Sequence, residues 1–448
     1  MNEIRQYMDC PGGHLGRRSF LRVGSLSLLG MSLSQYLRHK SLMAAAGLDA
    51  ERKATAQSCI LVWLEGGPSH VDTWDPKPNS SFKPISTNVS GIQISELLPR
   101  VAKGVDKLAI VRSVHTEENN HGQATYYALT GHRPTAAMQF PSFASIITKE
   151  TGPRSQVPPH VLVPGWKGNG TYEGYLKGAF LGPSYDPMVL SDPSQAGFQI
   201  EDLSLPKNLS ENRLEQRRSL LSLVDHQYRE KVQLAEHSSM DNFSQQALKM
   251  VLEPRVREAF DLTKESEKTK EAYGRNSFGQ SLLLARRLVE AGSRFVTAAG
   301  HQLNSWDTHS DNDQRHKEKL TPLLDQTLPV FLEDLQQRGL LKSTLVLLMG
   351  EFGRSPHLNS KAGRDHWPHC WSVVMGGGGI RTGQVVGASD ERGAYVADRQ
   401  VSMGAIFATI YKAFGIDWQQ EYMSPIGRPV KIANAIADKT GEPIKELI

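Results

Sequence analysis

The sequence has little cysteine, little aromatic character and little net charge. Its 448 residues include three cysteines, Cys10, Cys59 and Cys370, and Cys10 lies in the first dozen positions. Two widely separated cysteines make neither a disulfide framework nor a cysteine metal cluster. Cys59 heads an apolar run, which reads as a buried and inert thiol. Aromatic residues are 7% of the chain and the formal net charge is +4. No aromatic-basic ladder or zinc-finger spacing is present, which argues against nucleic acid as a partner. Uninterrupted apolar runs of membrane-spanning length are also missing. The composition, 39% hydrophobic and 22% charged, is that of an ordinary globular protein long enough for one large domain.

The N-terminal segment does not read as part of the fold. GRRSFLRVGSLSLLGMSLSQYL sets Arg17 and Arg18 ahead of a modest apolar run, Val23 to Leu37, and the small residues MAAAG follow. This order is that of an export leader, and Arg17-Arg18-Ser19-Phe20-Leu21 resembles a twin-arginine signal. The expectation is residues 1–46 as a leader cut near Ala44–Ala46, with the mature protein in the periplasm or outside the cell. A leader left uncut would be its one membrane anchor.

Beyond it, short apolar runs alternate with amphipathic stretches. SCILVWL (58–64), KLAIVRS (107–113), PHVLVP (159–164), RFVTAA (294–299), STLVLLM (343–349) and CWSVVMG (370–376) read as buried strands. Helices are expected over 120–130, 142–150, 212–235, 278–291, 311–338 and 401–414. In the fourth of these, Leu282, Leu283, Ala285, Leu288 and Val289 form one apolar face. Continuously apolar strands between amphipathic helices predict an α/β fold, a mainly parallel sheet covered on both faces. The expected domain spans 55–440, with an insertion or cap over about 165–275, where a Gly/Pro-rich stretch leads into charged helices. GGGG at 376–379 lacks the Lys-Ser/Thr of a phosphate loop and reads as a tight turn.

Ligands of open α/β sheets sit beyond the carboxyl ends of the strands. There the sequence places Glu65; His115, Glu117, Glu118 and His121; Asp307 and His309; Glu351 and Arg354; Asp365 and His366. Imidazole with carboxylate is a donor set for Zn, Mn or Fe, whereas Ca and Mg favour oxygen alone. One or two divalent metals are expected, with Glu65, Asp307, His309, Glu351 and His366 as ligands and Asp72 as a competitor of Glu65. His70, His115, His301 and His369 read as hydrogen-bonded structure. His121 opens a helix, where backbone N–H groups collect anions. Arg354 and Arg133 are candidate anion clamps, since a guanidinium fork suits sulfate and phosphate oxygens.

The order Glu65, His121, Asp307/His309, Glu351, His366 resembles the alkaline phosphatase and sulfatase superfamily. The fifteen-residue step from Glu351 to His366 is similar to that of the cofactor-independent phosphoglycerate mutase branch. HGQATYYALTGHRP resembles the sulfatase signature C-x-P-S-R-x-x-L-L-T-G-R-x-P: Leu129, Thr130, Gly131 and Pro134 fall in register, and His121 takes the place of the modified cysteine. GGPSHVDTWDPKP, WDTHSDN, GEFGRSP and GRDHWPH are similar to phrases of a large family of exported bacterial proteins within that superfamily. The likeness spans about 55–435.

That resemblance implies a metal-dependent hydrolase of sulfate or phosphate esters, acting on a small anionic ester or a sulfated or phosphorylated glycan. Three departures count against it, the first being Glu in place of Asp at both Glu65 and Glu351, which adds one methylene to each ligand arm. No Cys, Ser or Thr stands at the nucleophile position, and Phe352 replaces a second metal-binding imidazole. A metal that acidifies bound water would supply the missing nucleophile; alternatively His121 itself attacks. A second reading is a non-catalytic relative that binds an anionic glycan or a partner protein. A phosphomutase, which needs an alcohol in the site, fits least.

Overall fold

The computed structural model describes residues 54–166, 174–200, 253–300, 305–434 and 441–448. The leader, most of the expected cap and the expected helix over 212–235 lie outside these residues. Ala54–Ile448 cluster as one compact unit.

Its centre is an eight-stranded sheet. In chain order the strands are β1 (Ser58–Trp63), β2 (Ala109–Val114), β3 (His160–Val163), β4 (Met188–Val189), β5 (Phe295–Ala298), β6 (Thr344–Met349), β7 (Trp371–Gly377) and β8 (Gln384–Val386). They lie side by side as β8-β2-β7-β6-β1-β5-β3-β4. Only β7 runs against its neighbours β2 and β6; every other pairing is parallel. All six apolar runs are strands of this sheet. β1 lies between β5 and β6, with Cys59 opposite both Phe295 and Leu345.

Alternate residues of β1 feed two separate cores, as the two-residue period of a strand requires. Cys59, Leu61 and Trp63 pack with helices α1 (His121–Thr130), α2 (Phe143–Thr151) and, late in the chain, Met403–Ala413, through Leu129, Phe143 and Ile406. Ile60, Val62 and Leu64 pack on the other face with the helices Ser277–Ala291 and Thr321–Gln337, through Leu282, Leu324 and Phe331. The sheet is therefore mainly parallel and covered on both faces. Strands buried on both sides have no polar face to show, so they read as unbroken apolar runs.

The expected helix over 311–338 is divided. A turn of α-helix, Asn312–Arg315, passes into a π-helical turn, His316–Leu320, before the long helix begins at Thr321. Pro322, which has no N–H to donate, belongs in such a first turn. Gly377, Gly378 and Gly379 all have positive φ, and a Cβ on Gly377 would lie 2.3 Å from the Thr344 carbonyl oxygen. GGGG is a tight turn that only glycine can make there. Because β1, β2, β5 and β6 point the same way, Glu65, His121, Asp307 and Glu351 follow strand ends at one edge of the sheet.

Candidate metal centre

His121 is the first residue of α1. Asn120 caps the helix, its side-chain oxygen accepting from the Gly122 amide at 3.1 Å, and Gly131 ends it in the left-handed region. A Cβ on Gly131 would lie 2.1 Å from the Asn434 carbonyl oxygen, so the Thr-Gly step that ends the helix is fixed by close packing. This cap holds the His121 ring over the sheet edge, where Nδ1 donates to Glu351 Oε1 at 2.7 Å and Nε2 stands 3.3 Å from Asp307 Oδ2.

Three imidazoles converge on Asp307. His366 Nε2 and His309 Nε2 each lie 3.2 Å from Asp307 Oδ1 and 2.9 Å from one another. Each ring is tethered at its far nitrogen: Nδ1 of His366 donates to the Asn119 carbonyl at 2.6 Å, and Nδ1 of His309 to Asp365 at 2.8 Å. A proton held at Nδ1 turns the Nε2 lone pair inward, which is how outer-layer acceptors orient metal-binding histidines.

His121, Asp307 and His366 each offer an atom within 4.8 Å of the other two, and His309 adjoins them on the solvent side with its side chain 46% exposed. Ligands placed tetrahedrally about 2.0–2.1 Å from a zinc ion stand roughly 3.4 Å apart. The two oxygens of Asp307 are divided between the rings near that spacing, Oδ2 at 3.3 Å from His121 and Oδ1 at 3.2 Å from His366. His121 Nε2 is buried and makes no well-aimed hydrogen bond, although it lies 3.3 Å from Asp307 Oδ2. Among the described residues these three are the group that fits a divalent metal.

The electrostatics favour a cation. Burial lowers the His121 pKa, but Asp307 and Glu351 outweigh it and raise the ring to about 9. The Asp307 carboxyl is pushed up by burial, yet His121, His366 and Arg354 hold it well below the usual carboxylate range. Glu65 is pushed up to about 8, by burial first and then by Glu351. Its Oε2 is buried without a hydrogen-bond partner. Carboxylates crowded in this way hold a proton on His121 when nothing stronger competes for it.

Several residues take other tasks than the sequence suggests. Glu351 stands behind His121: its carboxylate accepts from His121 Nδ1 and from the Gly66 amide at 3.0 Å, so it orients the His121 ring. Glu65 is not one of the three converging groups, but its carboxylate interacts with Glu351 and His121 behind them. Arg354 is fully buried and donates to the carbonyls of Gly66, Gly67 and Arg364 and to Asp307. With its fork turned into the protein, it is not placed to clamp an incoming anion. Arg133 is bound to Glu118 and Glu117 and lines a different cavity, of about 430 Å³, beside His115 and Arg399. Asp72 is a buried partner of Arg364. His70 and His115 are bonded to the carbonyls of Gly393 and His369, while His301 lies outside the described residues. Phe352 stacks on His366 at 4.5 Å and lies 5.1 Å from His121, an apolar wall against both rings.

Two contributors are silent in the sequence: Asn119, which acts through a backbone carbonyl, and Arg364, whose role depends on a partner far away in the chain. Neither carries a local signal.

No curated protein matches this sequence. Among solved structures, the chain is similar to the lipoteichoic acid synthase LtaP from Listeria monocytogenes, at 10% identity and a TM-score of 0.39, over 85% of this chain and 75% of that one. It is similar to a TAB5 alkaline phosphatase mutant with Mg bound, at 13% identity and a TM-score of 0.39, over 81% and 99%. It is also similar to the PsFucS1 sulfatase from Pseudoalteromonas sp., at 10% identity and a TM-score of 0.32, over 83% and 70%. Residues 56–448 match, as a block, the family described as protein of unknown function (DUF1501), and the chain belongs to that family.

Proposed function

We propose that this protein is a metal-dependent hydrolase of sulfate or phosphate esters. One observation carries the reading: three tethered imidazoles aim Nε2 at a single carboxylate, Asp307. His121, Asp307 and His366 would hold one divalent metal. The two-nitrogen, one-oxygen donor set suits Zn, Mn or Fe better than Ca or Mg. When bound, such a metal polarises an ester oxygen and acidifies water at the site.

The chain's own residues supply the rest. Glu351 fixes the His121 ring, and Arg354 fixes Asp307. His309, tethered by Asp365 and open to solvent, is the imidazole placed to hold or move a proton for an arriving ester. His121 is not the nucleophile in this reading. Nδ1 donates to Glu351, and Nε2, which would hold the metal, has no lone pair left to attack with. The sulfatase-like segment supports an anionic ester, on a small molecule or a glycan, as substrate class. Export by the twin-arginine route, which carries folded proteins, suits a metal site loaded before translocation.

Phe352, stacked on His366 where another ligand would otherwise stand, favours a second reading in which the protein binds an anionic glycan or partner without turnover. Metal content of the full chain, purified without chelator or a His-tag, is the first test. One equivalent of Zn, Mn or Fe, lost in His366→Ala together with hydrolysis of aryl sulfate or phosphate, supports the hydrolase. Stoichiometric metal without turnover of either ester moves the reading to a binding protein. Well-folded protein that takes up no metal overturns both the metal site and the hydrolase.

A further inference from the structure

Behind the metal centre, two charged side chains are removed from solvent altogether. Asp72, from the loop after β1, and Arg364, from the loop before His366, form an ion pair with both side chains fully buried. The pair is forked, with Arg364 Nε 2.7 Å from Asp72 Oδ2 and Nη2 3.2 Å from Oδ1. The remaining lone pairs of Asp72 accept from Ser69 at 2.7 Å, Ser80 at 2.6 Å and Asn312 at 2.9 Å. A buried ion pair is poor evidence of stability, because desolvation offsets its attraction. One so fully satisfied more often fixes a geometry.

The geometry here is that of the centre. The Arg364 amide donates to the Thr308 carbonyl at 2.8 Å, one residue before His309. Its carbonyl accepts from Arg354 Nη1, and Arg354 grips Asp307. Its guanidinium also donates to the Ser355 carbonyl at 2.9 Å. Asp365 and His366 are the next two residues. On the Asp72 side, Asn312 Oδ1 accepts from the Thr308 hydroxyl at 2.7 Å. One buried pair therefore joins the loop after Glu65, the loop carrying Asp307 and His309, and the loop carrying His366. None of its atoms is among the converging ligand atoms.

We infer that Asp72 and Arg364 are positioning residues that set the affinity of the metal centre by holding the His309 and His366 loops in register. The inference rests on the metal reading proposed above. Removing such an outer support weakens metal binding by about 10–100-fold.

The test measures zinc affinity of the full-length protein by competition with a chromophoric chelator, alongside thermal melting. Asp72→Asn or Arg364→Gln alone leaves a buried charge unpaired and lowers the melting temperature. The double variant Asp72→Asn/Arg364→Gln is neutral overall, keeps an amide pair able to hydrogen-bond and recovers most of the melting temperature. Its zinc affinity nonetheless falls at least about tenfold, and the His309 and His366 ring resonances broaden in NMR spectra. A purely structural pair would give recovered melting with wild-type affinity, and that result overturns the inference. Arg364→Lys, which keeps the charge and loses the fork, is the second variant. The same two outcomes are read from it if the double variant does not melt cooperatively. Wild-type protein that binds no zinc overturns the metal reading itself, and this inference with it.

Discussion

The Nδ1 atom of His121 and the Oε1 atom of Glu351 are 2.7 Å apart, a contact that joins the start of α1 to the residue group beyond β6. It makes the metal-free centre sensitive to pH. The His121 ring is raised from its usual 6.5 to about 9, so its contribution to stability is complete below about 6.5 and is lost as pH rises through about 9. Glu65, raised from 4.5 to about 8, acts with the same sign, because the folded chain keeps its proton longer than the unfolded one. Chelated protein is therefore expected to lose stability steadily from pH 6.5 to 9, while zinc-loaded protein does not. Zinc affinity is expected to rise over the same window as the proton leaves Nε2. Denaturant midpoints at pH 6.5, 8 and 9, with chelator and with zinc, check this. A flat profile in the chelated wild-type chain would remove the electrostatic part of the argument.

Much of the fold can be read from the sequence because central strands buried on both faces have only one composition open to them. The reverse direction of β7 cannot be read that way. An apolar run such as Trp371–Met375 looks the same whichever way it is paired. At the site, the side chains that carry imidazole and carboxylate are legible at the strand ends. What separates ligand from support is not. Glu65, Asp72 and Glu351 look alike in sequence, and only the folded chain gives Asp72 to Arg364 and Glu351 to His121. The Asn119 carbonyl that orients His366 is invisible for a simpler reason, since every residue has one.

Gly363 is a second place where backbone decides the site. A Cβ there would lie 2.0 Å from the carbonyl carbon and oxygen of His309. Gly363→Ala must therefore push one loop off the other. The expected cost is about 1–3 kcal/mol of stability, as for overpacking elsewhere, together with loss of bound metal as Asp307, two residues before His309, shifts with it. Thermal melting with metal analysis of the purified variant measures both. Wild-type metal content at wild-type melting temperature would mean that the two loops yield without disturbing the centre.

His160 gives the opposite pH dependence on the acid side. It is 1% exposed, Nδ1 donates to the Tyr185 carbonyl at 3.1 Å, and burial lowers its pKa from 6.5 to about 4. The unfolded chain takes up this proton first as pH falls, so the contribution is complete above about 6.5 and is lost toward about 4. The loss for a fully shifted imidazole is on the order of 3 kcal/mol. His160→Gln, which can still donate to Tyr185 but does not titrate, is expected to flatten the stability profile between pH 6.5 and 4.5. An unchanged slope in the variant would place the acid sensitivity elsewhere.

Arg354 and Arg133, equal candidates as anion clamps in the sequence, should behave very differently when truncated. Arg354 is fully buried, and its loss leaves the carbonyls of Gly66, Gly67 and Arg364 without that donor and Asp307 without its cation. Breaking a buried charged pair from one side costs about 3–5 kcal/mol. Arg354→Ala is therefore expected to melt far below wild type and to lose metal, because Asp307 is freed to turn away from the imidazoles. Arg133 has a side chain 49% exposed, bound to Glu117 and Glu118 at the rim of another cavity. An exposed ion pair contributes about 0–1 kcal/mol. Arg133→Ala should stay within that range, with metal content and any ester hydrolysis unchanged. Purifying both variants in parallel and measuring melting, metal and turnover separates the two roles. Loss of turnover in Arg133→Ala with metal retained would return Arg133 to the substrate side and require the cavity beside His115 to open toward the centre.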